Sequence, residues 1–203
     1  MTEESFALHF GAGEVDDDFG EATAARHPHA LAVLEALRDE GIPTEGAEIT
    51  ARGYGYGADA TAIGVTLGAL VSLFLAGKKI EENIDAWLRL GRRLRDALKR
   101  LRERQIRVAM SEPAATAYAL ARIAEDSGTG DGIKLLASRV VPVSNPSLVP
   151  EAQQQFLEHP DRYYIFTFGV GEDRVEVLCI TAHGRIAFQH SLPLDRFSYY
   201  GAL

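Results

Sequence analysis

Ala60–Gly77 is eighteen residues without a charge, and the stretch from there to Arg104 is crowded with arginine. Within it Leu70, Leu73, Gly77, Ile80, Ile84, Trp87, Gly91, Leu94, Leu98 and Leu101 recur at alternating spacings of three and four. That spacing draws one apolar stripe along a helix. Lys78, Glu82, Asp85, Arg89, Arg92, Arg93, Asp96, Lys99, Arg100 and Glu103 fall on the opposite, solvent-facing side. Phe74, Leu88, Leu90 and Ala97 widen the stripe beyond a coiled-coil seam, so a helix packed inside its own fold is favoured over a zipper. Gly77 and Gly91 interrupt it, at about 1 kcal/mol each relative to alanine in a helix interior. Close approach of a neighbouring backbone is the expected compensation, with a kink as the alternative.

Ala60–Gly77 is apolar all round, and Ala60, Gly64, Gly68, Ser72 and Ala76 recur every fourth residue. Read as a helix, this is a ridge of small side chains, and Gly64 with Gly68 makes a GxxxG. The run reaches only about 27 Å at 1.5 Å per residue, short of the roughly 20 residues of a membrane span. The expectation is a central core helix continuous with the arginine-rich one; the alternative is a segment that inserts into a membrane on a trigger. Lys78, Lys79, Arg89, Arg92, Arg93 and Arg100 would then contact the anionic surface.

Charge is segregated along the chain. Residues 1–59 carry net −10, residues 60–107 net +6 and residues 108–203 net −4, giving −8 in all. A basic helix between acidic segments is neutralised within the fold, across a dimer, or by an anionic partner. The acidic total and the lack of aromatic residues among Arg89–Arg107 count against nucleic acid. The N-terminus MTEESFALHF lacks a signal peptide's basic start and long apolar stretch, and Cys179 is the single cysteine, so cytoplasm is the expected compartment.

Ser5–Phe10 reads as a strand and Glu14 with Asp16–Asp18 as a solvated acidic loop. His27-Pro28-His29 opens a helix that buries Ala30, Val33, Leu34 and Leu37 and stops at Gly41. Glu48–Arg52 is a second strand. Gly53–Ala58 then spells G-x-G-x-x-A, the fingerprint of a dinucleotide-binding turn when it leads into a helix; a hinge feeding the long helix is preferred, because Tyr54 and Tyr56 would crowd a pyrophosphate. Ile106–Met110 reads as a strand, Ser111 as the cap of a helix over Ala114–Asp126, and Ile133–Val143 as an edge strand, followed by a short helix over Glu151–Glu158. Tyr163–Val170, Arg174–Ala182 and Ile186–Ser191, separated by hairpin turns, form an antiparallel meander. Cys179 and His183 lie too far apart on one strand, roughly 13 Å, to act as nucleophile and base, and Cys179 reads as an inert core thiol.

The fold class expected is α+β. A strand–helix–strand segment (1–59), one long central helix (60–105) and a segment ending in a three-stranded meander (106–203) make up one domain or several. The order strand–helix–strand–glycine turn–apolar helix is similar to that of accessory modules in bacterial conflict systems. No catalytic, metal-binding or cofactor-binding constellation emerges, and no cofactor is expected. The expectation is a non-enzymatic interaction or assembly protein, bacterial and self-associating through the central helix. Gly64, Gly68, Ser72, Gly77, Trp87 and Gly91 are its helix-packing or interface positions, and the partner is itself or another protein, with an anionic membrane as alternative. A nucleotide-binding protein using the 53–58 turn is the third reading.

Overall fold

Strand periodicity governs more of the chain than the long-helix reading allows. In a computed structural model, which describes residues 6–11, 21–54, 60–67, 84–128, 132–142 and 162–194, the fold is α+β with two antiparallel four-stranded sheets. The first has the order β2-β3-β1-β4, from β1 (Ala7–Gly11), β2 (Ala47–Tyr54), β3 (Ala60–Leu67) and β4 (Ala109–Met110). The second runs β5-β6-β7-β8, from β5 (Ile133–Pro142), β6 (Arg162–Val170), β7 (Arg174–Thr181) and β8 (Ile186–Pro193). The expected meander is there as β6–β8, and β5 adds a fourth strand to it. A helical turn at Glu21–Ala24 precedes the three helices of the described residues: α1 (Pro28–Asp39), α2 (Ile84–Glu103) and α3 (Glu112–Ser127).

Ala60–Leu67 is therefore a strand and not the start of a helix. It pairs with β2 from Tyr54↔Ala60 to Ala47↔Leu67, and on its other side with β1. A strand inside a sheet can be covered on both faces, so an uncharged run without alternation suits it as well as a core helix. The β-branched residues decide for the strand: Ile63 and Val65 point with Leu67 into the core, each at most 1 % exposed. Gly64 faces the other way, between two neighbouring strands. A Cβ there would lie 2.9 Å from Thr50 Oγ1 and 3.1 Å from His9 Nδ1, which explains the glycine without any helix ridge. The element order on which the likeness to conflict-system modules stood goes with the helix. Gly68, Ser72, Gly77, Lys78 and Lys79, like the acidic loop at 14–18 and Glu151–Glu158, lie outside the described residues.

The stripe read for α2 is real from Ile84 onward. Leu88, Leu90, Gly91, Leu94, Ala97, Leu98 and Leu101 are buried, and Trp87 packs half-buried against the core. The broad face is covered by α3, whose alanines Ala114, Ala117, Ala121 and Ala124 are buried and keep its surface low. The basic side of α2 is partly neutralised inside the fold by α1. Arg93 donates to the Gly41 carbonyl at 2.8 Å, Arg100 reaches Asp39 at 3.1 Å and Glu40 at 2.8 Å, and Arg104 reaches Glu35 at 2.7 Å. Arg95 pairs with Glu125 of α3.

Helices α1 and α2 end in the same way. Gly41 at φ +69 lets Gly41 N–H reach Arg38 O and Ile42 N–H reach Leu37 O, the two bonds of a Schellman motif. At the end of α2, Gln105 N–H bonds Arg102 O and Ile106 N–H bonds Leu101 O, with Gln105 itself at φ 61. Gln105 is the one non-glycine residue of positive φ among the described residues, at a position where an L side chain crowds its own backbone.

One cluster of buried residues runs through both sheets and all three helices, from Leu8 and Val65 through Leu94 and Leu120 to Phe166 and Ile180. The sheets meet at Val108–Ser111. Ala7 and Ser111 exchange bonds there: Ser111 N–H donates to Ala7 O, and Ala7 N–H donates to Ser111 Oγ, each at 2.9 Å. Ser111 thus stands at the N-cap of α3, but its hydroxyl accepts from β1 and makes no cap bond. On the other side Met110 N–H donates to Ala182 O at 2.8 Å, and the buried Tyr164 hydroxyl donates to Met110 O at 2.6 Å.

Candidate functional site

The seam between the sheets leaves a concavity. A cavity of about 380 Å³ is lined by Leu98 and Arg102 of α2, by Ile106, Arg107 and Val108 after it, and by His183 and Arg185 of the turn between β7 and β8. The strained Gln105 is what turns the chain at this point, so that Ile106 returns to the core (7 % exposed) while Arg107 stays exposed. The 182–184 turn is held from four directions. Besides the Met110 bond, His183 Nδ1 lies 2.9 Å from Val108 O, Arg102 Nη2 donates to His183 O at 3.3 Å, and Tyr118 Oη donates to Gly184 O at 3.0 Å. Because a carbonyl only accepts, His183 Nδ1 carries the proton, which fixes the tautomer and leaves Nε2 free of that bond.

Three arginines and a histidine share this lining with Leu98, Ile106 and Val108, and no carboxylate is among the lining residues. Arg107 and Arg185 form no side-chain ion pair among the described residues, whereas Arg95 and Arg100 of α2 and Arg104 just after it each face an acid. Spacing in sequence could not have revealed the group, since Arg102 and Arg185 come from opposite ends of the second half. The clue available was that Arg107 lies past the last turn of the amphipathic pattern.

A second exposed feature is β8. Its eight residues are all exposed or half-exposed, with Ile186 at 42 % and Phe188 at 47 %. Among the described residues it pairs only with β7, and Gln189 ties it to α3 through a 3.0 Å bond to Asp126. The edge at the far side of the same sheet, β5, carries Lys134 and Arg139; β8 carries no charged residue.

The positions singled out in the sequence are placed as follows. Trp87 and Gly91 pack inside the fold, and Gly64 lies in β3. Arg93 and Arg100 turn to α1, Arg89 donates to Asp85 O at 3.3 Å on its own helix, and Arg92 is exposed. His27 accepts from His29 N–H at 3.2 Å as the cap of α1, and both rings contact Phe10, a helix-start arrangement as expected. Among the described residues no three His, Cys, Asp or Glu side chains gather as a metal site. Cys179 is buried at 3 % exposure, and burial pushes its thiol pKa up. The G-x-G-x-x-A stretch is followed by β3, a strand antiparallel to β2, so the helix N-terminus that a dinucleotide turn needs is not what comes next. No helix among the described residues is long and apolar enough to cross a membrane.

No family model matches the chain, and no match to it is found among the curated proteins or the solved structures.

Proposed function

We propose that the protein is an interaction or assembly protein that pairs with a second copy of itself along β8. The observation that supports this reading is the exposed, uncharged edge of that strand. Edges of sheets are normally blunted by charge, as β5 is by Lys134 and Arg139, because an open ladder of N–H and C=O groups recruits another strand. In β8 such devices stand at its two ends, Pro193 and the register shift at Ala187, and they confine pairing to Phe188–Leu192. Antiparallel pairing centred on His190 sets Phe188 opposite Leu192 of the other copy, a favourable aromatic–aliphatic pair, and Gln189 opposite Ser191. The described part of the stripe on α2 packs against α3 and the core, which favours β8 over it as the surface used.

Sedimentation velocity over a wide concentration range tests the proposal. Wild type is expected to associate, and Phe188→Lys to stay monomeric while keeping its fold. A wild-type protein that is monomeric at every concentration ends the proposal.

A further inference from the structure

The arginine-lined cavity has no part in β8 pairing and carries its own assignment. We propose that it binds a small organic phosphate, the phosphate held by Arg107 and Arg185 and the organic portion against Leu98, Ile106 and Val108.

Three observations lead there. The first is a local inversion of charge: a chain of net −8 places three guanidinium groups and an imidazole around one cavity with no carboxylate among them. The second is that neither outer arginine of the cavity has an acid beside it. Arg95, Arg100 and Arg104 are paired with Glu125, Asp39 and Glu35. Arg107 and Arg185 have no such partner among the described residues, although both line the same concavity. The planar guanidinium fork matches two phosphate oxygens, and two such groups lining one cavity suit a dianion better than a single carboxylate does.

The third is preorganisation. Arg102 and His183 are tied into the wall, Arg102 through the His183 carbonyl and His183 through Val108, so two of the four basic groups are held in place before a ligand arrives. The volume, about 380 Å³, is that of a small-molecule site, and the lining contains no aromatic ring other than His183 on which a base could stack. An aliphatic phosphate monoester fits this lining, and a nucleic-acid strand does not.

Butyl phosphate and butyrate, at constant ionic strength set with chloride, serve as probes of the full chain by thermal shift and isothermal titration. The expected result is a concentration-dependent rise in Tm with butyl phosphate and a much smaller one with butyrate. Affinity should fall at least tenfold in Arg107→Gln/Arg185→Gln. The control Lys134→Gln/Arg139→Gln removes the same charge from exposed positions on β5, outside the cavity lining, and should bind like wild type. Absence of stabilisation by butyl phosphate overturns the proposal, and so does equal binding by the Arg107→Gln/Arg185→Gln variant. Butyrate binding as tightly as butyl phosphate would overturn the choice of phosphate. Because both substituted arginines are exposed, unchanged circular dichroism is expected for that variant, and loss of binding would then be read at the cavity.

Discussion

Gly91 of α2 rests directly on the backbone of Ala117 of α3. A Cβ added at Gly91 would lie 2.7 Å from the Ala117 carbonyl carbon, closer still to its oxygen, and 2.8 Å from Ala121 Cβ. The atoms it would strike are mainly backbone inside a buried helix, which cannot swing aside. Gly91→Ala should therefore reverse the usual sign. In an open helix it would gain about 1 kcal/mol, but here overpacking should cost about 1–3 kcal/mol. Urea denaturation measures the difference, and a stabilised variant would mean that the helices can part without penalty.

Gln105 invites the opposite change. At φ 61 it occupies the position that glycine fills in the matching motif at Gly41. Gln105→Gly should raise stability by about 0.5–1 kcal/mol, the relief of left-handed strain less the added chain entropy of glycine. A lower denaturation midpoint would show that the glutamine side chain contributes something the backbone does not.

Tyr164→Phe tests the seam. Its hydroxyl donates to the Met110 carbonyl at 2.6 Å in a buried setting, and removing it leaves a buried acceptor one bond short. A loss of about 1–3 kcal/mol is expected, read from the same denaturation curves.

Acid should break the ion pair between Glu35 and Arg104. The hydrogen bond and charge of Arg104 hold the Glu35 carboxyl below its ordinary pKa. A carboxylate lowered in the folded state stabilises above its unfolded pKa, and that contribution fades as pH falls through the lowered folded value. Wild type and Arg104→Gln should accordingly differ at neutral pH and converge in acid. An NMR titration of Glu35 should move upward in the variant. An unmoved titration would remove the ion pair from solution behaviour.

Cys179 should resist modification. Burial at 3 % exposure and a raised thiol pKa disfavour the thiolate that reacts with iodoacetamide. Native protein should label far more slowly than protein in denaturant, as followed by mass spectrometry. Equal rates would place the thiol at the surface.

Periodicity carried much of the architecture. The three-and-four spacing from Ile84 to Leu101 determined α2 and its buried face, and Gly91 on that face announced the close approach that α3 makes. Alternation and turn residues determined β6, β7 and β8, since hairpins form between residues near in sequence. Only the tertiary structure decided Ala60–Leu67: an uncharged run is compatible with a helix or an inner strand, and what settles it is hydrogen bonding to β1 and β2, partners remote from it or separated from it by a stretch whose chemistry suggested another motif. The cavity was beyond reach for a related reason. Arg102, Arg107, His183 and Arg185 become neighbours only once two sheets close on Val108–Ser111, and local spacing holds no information about a contact made across some eighty residues of chain.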